Sequence, residues 1–268
     1  MATCHTEGIS LFYETLGNPA HPPVLLISGL GGVGASWGVQ IQRFAENYFV
    51  ILPDQRGTGQ TSRTTDGYTT LQLAKDMVHL LEHLQVEAAH VVGASTGGAI
   101  AQYMALDFPE KVLSLTLSSS FARFDEYMKR EFLIRRKMAA EWDRQNRYTG
   151  YAIFLFSAKF MNEHPEKVQA WIDKIAVLPD TVLDKEIEEK RHTMVETHDT
   201  LERLKDILIP TLVLSGSHNM CTLRQSSEEL AAHIPGAELV IFEDAGELIE
   251  RERADDFFAA VSSFIDRN

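Results

Sequence analysis

Residues 90–98 read His-Val-Val-Gly-Ala-Ser-Thr-Gly-Gly, so that glycines at 93 and 97 bracket Ser95 in the pattern Gly-x-Ser-x-Gly. The flanks give the pattern its meaning. Ala89–Val92 is a short, β-branched run closed by glycine, which predicts a buried strand. Thr96–Asp107 is alanine-rich with apolar residues at helical spacing and stops just before Pro109, which predicts a helix. Strand, tight turn and helix is the setting of a nucleophile elbow: residues without a Cβ let the backbone turn sharply and project the Ser95 hydroxyl at the helix N-terminus. A phosphate-binding glycine loop is the competing reading, and the Lys-Ser/Thr it requires does not follow.

Working outward, Val24–Ser28 is a continuous apolar run, as expected of a parallel strand covered on both faces, and it enters the cluster Gly29-Leu30-Gly31-Gly32. Before it, Ile9–Leu16 alternates and reads as an edge strand. After it come a helix over Trp37–Asn47, an apolar strand at Phe49–Pro53, the loop Asp54-Gln-Arg-Gly-Thr-Gly59 and an amphipathic helix over Leu71–Leu84. Val112–Leu117 is another buried strand. From Phe121 to about Thr200 no strand is evident, and aromatic and charged residues fall at helical spacings. The alternation then resumes with a strand at Thr211–Gly216, a helix at Ser226–His233, a strand at Glu238–Phe242 and a helix at Ala254–Ile265. The expectation is an α/β chain: a mostly parallel, doubly wound sheet flanked by helices, formed by residues 1–121 and 201–268, with an all-helical cap inserted at 122–200. In such sheets the working groups gather at the carboxyl ends of the strands.

Composition narrows the partners. A net charge of −13 argues against nucleic acid and against an anionic membrane surface. No apolar run is long enough to span a bilayer, and the N-terminus has neither the basic nor the apolar region of a secretory signal. Two cysteines, Cys4 and Cys221, make no disulfide framework, which favours the cytoplasm. No histidine pair has metal-ligand spacing and no acidic run has a calcium pattern, so neither a metal nor another cofactor is expected. The expected partner is a small molecule; a homodimer is compatible with the composition.

Four segments together resemble the α/β-hydrolase superfamily with a helical cap: Ile27-Ser-Gly-Leu-Gly-Gly32, Asp54–Gly59, Gly93-Ala-Ser-Thr-Gly-Gly98 and Ile209-Pro-Thr-Leu-Val-Leu-Ser-Gly216. The first two look most like aminoacrylate hydrolases and 3-oxoadipate enol-lactonases. The resemblance implies Ser95 as nucleophile and an oxyanion hole formed by the backbone N–H groups of Leu30 and Thr96. It also implies an acid and then a histidine later in the chain.

Those two slots depart from the pattern. Gly216-Ser-His-Asn219 places an amide where the acid belongs, and Gly246-Glu247 places a carboxylate where the histidine belongs. The changes are compatible as a pair, since two ionised carboxylates would repel while Asn219 can donate to Glu247. Such a trio (Ser95, Asn219, Glu247), whether natural or engineered, supports three readings. The first is hydrolysis of a small ester, lactone or amide; the second is an isomerase, lyase or cyclase with Glu247 as general acid/base; the third is a catalytically silent protein that binds a small ligand.

The remaining candidates are weaker. Gly29, His218, Trp142 and Phe124 are candidate substrate contacts, and the cap aromatics suggest a ligand that is apolar or aromatic in part. They are equally suited to packing the cap. His79, His83, His90 and His198 read as structural, as do Asp54 and Arg56. Cys221 reads as a small buried hydrophobe, and Arg135-Arg136-Lys137 as a solvated helix face.

Overall fold

The computed structural model describes residues 2–6, 8–178 and 184–268. In chain order, strands β1 (Ala2–Thr6), β2 (Ile9–Leu16) and β3 (Pro23–Ile27) lead to helix α1 (Val39–Ala45). Next come β4 (Phe49–Pro53), α2 (Thr70–His83), β5 (Ala89–Ala94), α3 (Thr96–Asp107) and β6 (Val112–Ser118). Five helices follow: α4 (Glu126–Glu141), α5 (Arg144–Leu155), α6 (Ala158–Glu163), α7 (Pro165–Ala176) and α8 (Lys185–Glu196). The chain closes with β7 (Thr211–Gly216), α9 (Arg224–His233), β8 (Glu238–Phe242), α10 (Ile249–Glu252) and α11 (Ala254–Ile265).

The strands form one sheet in the order β1-β2-β4-β3-β5-β6-β7-β8. β1 and β2 pair antiparallel, β2 joins β4 antiparallel, and every pairing from β4 to β8 is parallel. The alternation of β3 shows why its apolar run is unbroken. Leu25 and Ile27 face a core with Leu73, Met77, Ile100 and Met104, whereas Val24 and Leu26 face a second core with Phe44, Phe257, Val261 and Phe264. Helices therefore cover both faces. Each fully buried Leu or Ile in these layers contributes about 1.5–3 kcal/mol.

Two sequence expectations are corrected here. Ile9–Leu16 is not the edge, because β1 pairs outside it; β1 is short and polar, with only Cys4 fully buried, and has no period to read. The helix expected over 37–47 is broken at Gly38, whose φ of +55° separates a 3₁₀ turn at Gly34–Trp37 from α1.

The helices α4–α8, called the cap below, lie between β6 and β7 and have a core of their own. Tyr148, Tyr151, Phe156, Phe160 and Ile172 pack together there, with Phe156 stacked on Phe160. A smaller apolar cluster of Phe121, Met128, Phe132 and Val195 joins the cap to α3, and Leu30 and Phe124 pack against it. Most cap aromatics are thus engaged in holding the cap itself.

Candidate active site

Ser95 follows β5 and caps α3 with φ 53° and ψ −121°, a left-handed conformation that costs a non-glycine residue on the order of 1–3 kcal/mol. The surroundings impose it. The Ser95 N–H donates to Ser118 O at 2.8 Å, and its carbonyl accepts from the Gly98 N–H and from the Ser120 hydroxyl, each at 2.9 Å. The flanking glycines are required by close approach: a Cβ at Gly93 would sit 2.5 Å from the Gly97 carbonyl oxygen, and one at Gly97 2.5 Å from Ser28 O.

Glu247 lies in the loop after β8 and is buried. Its backbone is held at both ends, with the N–H donating to Leu155 O at 3.1 Å and the carbonyl accepting from the Ser119 hydroxyl at 2.8 Å. The Ser95 side chain lies close enough to act on the carboxylate. Its Oε2 accepts from Asn219 Nδ2 at 2.7 Å and from the Thr222 hydroxyl at 2.7 Å, with the Thr222 N–H at 3.4 Å. Burial pushes the Glu247 carboxyl upward, and the donors from Thr222, Ser95 and Asn219 oppose that rise.

Asn219 follows β7 and is buried with its amide fixed. Its Oδ1 accepts from the N–H groups of Cys221 at 2.9 Å and Thr222 at 3.1 Å, which leaves Nδ2 to face Glu247. The structure therefore brings together Ser95, Glu247 and Asn219, the three residues picked out by their sequence slots.

On the other side of Ser95 lies the glycine loop. A Cβ on Gly29 would stand 3.2 Å from Ser95 Cβ, which brings the glycine loop that carries Leu30 against Ser95. Thr96 opens α3, where a helix N–H has no intrahelical acceptor. Both positions suit donors to an oxyanion.

The outer candidates fall apart. Phe124 is partly buried, packs with Leu30 against the Phe121–Phe132 cluster and meets Phe132 edge-on at 5.2 Å. His218 is exposed, and its N–H donates to Ala245 O at 2.9 Å. Its loop turns the imidazole outward while Asn219 turns inward. Trp142 is half exposed at the end of α4, against Gly150 of α5 and beside Arg144, Arg147 and Lys185, in a crevice of the cap rather than at Ser95.

Thr222 and Ser119 were not legible as site residues. The spacing Asn219-x-x-Thr222 carries a local signal, an Asx turn that returns the backbone to the amide. Arg135 is a further correction. It is not solvated but largely enclosed, with its guanidinium over the rings of Phe132 and Tyr151, paired with Glu131 at 3.1 Å and 3.6 Å from Cys221 Sγ. Burial raises the Cys221 thiol well above its ordinary value, so it stays protonated and is no nucleophile. His198 is buried with Nδ1 3.0 Å from Thr70 Oγ1, and Asp54 accepts the N–H groups of Gly34 and Gln60, each at 2.9 Å. Among the described residues no group of three or more His, Cys, Asp or Glu is placed to hold a metal ion. No helix among them is long and apolar enough to cross a membrane.

Residues 22–250 match the family model described as alpha/beta hydrolase fold. A protein of Azorhizobium caulinodans named "Putative carbamate hydrolase RutD" is 31% identical over 245 residues, covering 89% of this chain and 88% of its own. The 3-oxoadipate enol-lactonase 2 of Acinetobacter baylyi is 28% identical over 265 residues, covering 99% of this chain and 96% of its own. Among solved structures, an α/β hydrolase from a Medee basin deep-sea metagenome library superposes with a TM-score of 0.92 at 23% identity, covering 100% of this chain and 98% of that one.

Proposed function

The chain belongs to the α/β hydrolase fold family, and from that premise we propose that it hydrolyses a small ester, lactone or amide with Ser95 as nucleophile and Glu247 as base. The observation that carries this reading is the placement of the strained Ser95 side chain beside a buried carboxylate that it helps to hold down.

As Ser95 Oγ bonds to the acyl carbon, its proton passes to Glu247. The negative charge moves to the former carbonyl oxygen, facing the Leu30 and Thr96 N–H groups. Collapse expels the leaving group, which takes the proton from neutral Glu247. Water then cleaves the acyl-serine, giving its proton to Glu247 and returning Ser95. The charge of the trio is one negative before and none after proton uptake, so the base becomes neutral rather than cationic. An amide at 219 suits this better than an acid, because no imidazolium arises that needs a counter-charge.

The cost lies in basicity. A free glutamate titrates about two units below histidine, which is roughly 3 kcal/mol less driving force. Burial recovers part of it. The weaker base favours acyl groups with stable leaving groups, such as enols or phenols, since these depart with little help from an acid. The name of the Acinetobacter relative, an enol-lactonase, fits that class. The apolar cluster packed against Leu30 of the glycine loop, with Phe124 and Phe132, supports a substrate that is apolar or aromatic in part. Two free, buried cysteines fit a reducing cytoplasm.

A second reading draws on the raised Glu247 carboxyl, which is also suited to moving a proton to or from a carbon acid in an isomerase, lyase or cyclase. Turnover of p-nitrophenyl esters by the wild type, Ser95→Ala and Glu247→Gln separates the readings. Hydrolysis through Ser95 predicts loss in both variants. Proton transfer predicts no esterase activity, and turnover of a carbon-acid substrate that survives Ser95→Ala but not Glu247→Gln. A ligand that raises the melting temperature and leaves unchanged would instead identify a binding protein.

A further inference from the structure

We propose that Arg191 of α8 is a positioning residue for the oxyanion loop, acting through the side-chain amide of Gln55; this rests on the hydrolytic reading above. Arg191 and Gln55 are both fully buried where the cap meets the core. The Arg191 guanidinium donates to Gln55 Oε1 and, at 3.0 Å, to Arg56 O. Gln55 Nε2 in turn donates to Ser28 O at 2.6 Å. Ser28 directly precedes Gly29 and Leu30, so the chain of donors ends on the peptide that carries the loop into the site.

Chemistry gives this chain a direction. A primary amide can present either its oxygen or its nitrogen to a neighbour, and packing alone scarcely distinguishes the two. Guanidinium has only donors, so of the two ends of the amide only the oxygen can accept from it. Arg191 thereby fixes Oε1 toward itself and Nε2 toward Ser28 O. With the amide reversed, Oε1 would face a carbonyl oxygen and the loop would be pushed rather than held.

The loop is shaped to receive this amide. A Cβ on Gly32 would sit 2.5 Å from Gln55 Nε2 and 2.6 Å from its Cδ, so only glycine leaves room for it. The Gln55 N–H donates to Gly32 O at 2.9 Å, and the Thr58 hydroxyl lies 2.8 Å from the same oxygen. Gly29 abuts Ser95 on the opposite side, where a Cβ would come within 3.2 Å of Ser95 Cβ. The segment 28–32 is therefore clamped between the Gln55 side and the nucleophile.

Arg191 also has no carboxylate partner among the described residues; its bonds go to one carbonyl and one amide, and its Nε has no partner. Burying a guanidinium without a counter-ion is costly. It is the position of its donors, not charge neutralisation, that distinguishes this arginine from Arg56, Arg135 and Arg147, which face Asp76, Glu131 and Glu188.

The test compares Arg191→Met and Gln55→Glu with the wild type in p-nitrophenyl ester hydrolysis and in amide hydrogen exchange over residues 28–32. Gln55→Glu keeps an acceptor for Arg191 but loses the donor to Ser28 O, so it probes the loop while α8 stays docked, even where Arg191→Met does not fold. The expected result is kcat lower by roughly 10- to 100-fold with KM within about 2-fold, because a hole that is displaced loses transition-state stabilisation. Faster exchange in 28–32 should accompany it, and the double variant should lose no more than the worse single one. Unchanged exchange in Gln55→Glu would overturn the proposal, as would an Arg191→Met protein with raised KM and unchanged kcat, which would place Arg191 on the substrate instead. Should the wild type cleave no ester, the hydrolytic reading fails by itself, and the exchange measurement still decides whether Arg191 and Gln55 hold the loop.

Discussion

Asn219 Nδ2 donates to Glu247 Oε2 across 2.7 Å, and both side chains are buried. An amide and a carboxylate occupy positions where two acids would repel. Asn219→Asp should therefore force a proton onto the pair at neutral pH and hold Glu247 in a form that cannot act as base. Ester hydrolysis at pH 7 should fall by at least tenfold and recover as the pH is raised, as a pH–rate profile would record. Activity equal to the wild type at pH 7 would show that the two groups do not share charge. In the double variant Asn219→Asp with Glu247→His, which restores acid and imidazole, hydrolysis should rise by orders of magnitude.

Thr222 offers one hydroxyl proton to two acceptors, Glu247 Oε2 at 2.7 Å and Ser119 O at 2.8 Å. It can donate to the carboxylate while Glu247 is ionised and turn to Ser119 O once Glu247 is neutral, with no heavy atom moving. Thr222→Val removes a donor to the charged form, so the acid limb of the pH–rate profile should move to higher pH, at a stability loss of about 1–3 kcal/mol for the stranded Ser119 carbonyl. Thr222→Ser should restore both. An unshifted acid limb in the valine variant would remove Thr222 from the site.

Glu250 is buried three residues beyond Glu247, and burial pushes its carboxyl up to about 7, with Glu247 and Glu252 adding to the rise and Arg251 opposing it. A carboxyl raised on folding keeps a proton that the unfolded chain has lost, so stability falls as pH rises from the ordinary carboxyl range through 7. His198 and His192, lowered by burial to about 4 and about 3, act oppositely and cost stability as pH falls below about 6.5. The Glu250 contribution emerges by difference. Glu250→Gln should raise the stability measured by urea unfolding at pH 8 by roughly 3 kcal/mol, and by little at pH 4. An equal effect at both pH values would contradict the assignment.

Arg56 and Asp76 form a bidentate buried pair at 2.9 and 2.7 Å, under the loop that carries Gln55. Asp76→Asn leaves a buried guanidinium without its charge partner and should cost about 3–5 kcal/mol, seen as a melting temperature lower by roughly 10 °C. A change of under one degree would mean that water reaches this pair.

The parallel sheet was legible because its central strands are covered on both faces, and residues such as Val24–Ile27 or Leu212–Leu214 leave a continuous apolar signature. β1 was not, since its pairing depends on β2 rather than on any pattern of its own. Ser95, Asn219 and Glu247 were legible because each occupies a slot fixed by a neighbouring strand and glycine. Thr222, Ser119, Gln55 and Arg191 were not, because their roles arise from contacts across 25, 128, 27 and 136 residues of chain, which no local spacing records. Arg135 looked solvated within a run of three basic residues, and only the packing of α4 against α5 and Cys221 buries it.

The central claim is that Glu247 activates Ser95, and reaction with a fluorophosphonate, followed by intact mass and peptide mapping, tests it most directly. The account predicts a single adduct on Ser95 whose rate of formation rises with pH as Glu247 ionises, and which is abolished in Ser95→Ala and slowed by at least tenfold in Glu247→Gln. No adduct on Ser95, or labelling of Glu247→Gln at the wild-type rate, would contradict it.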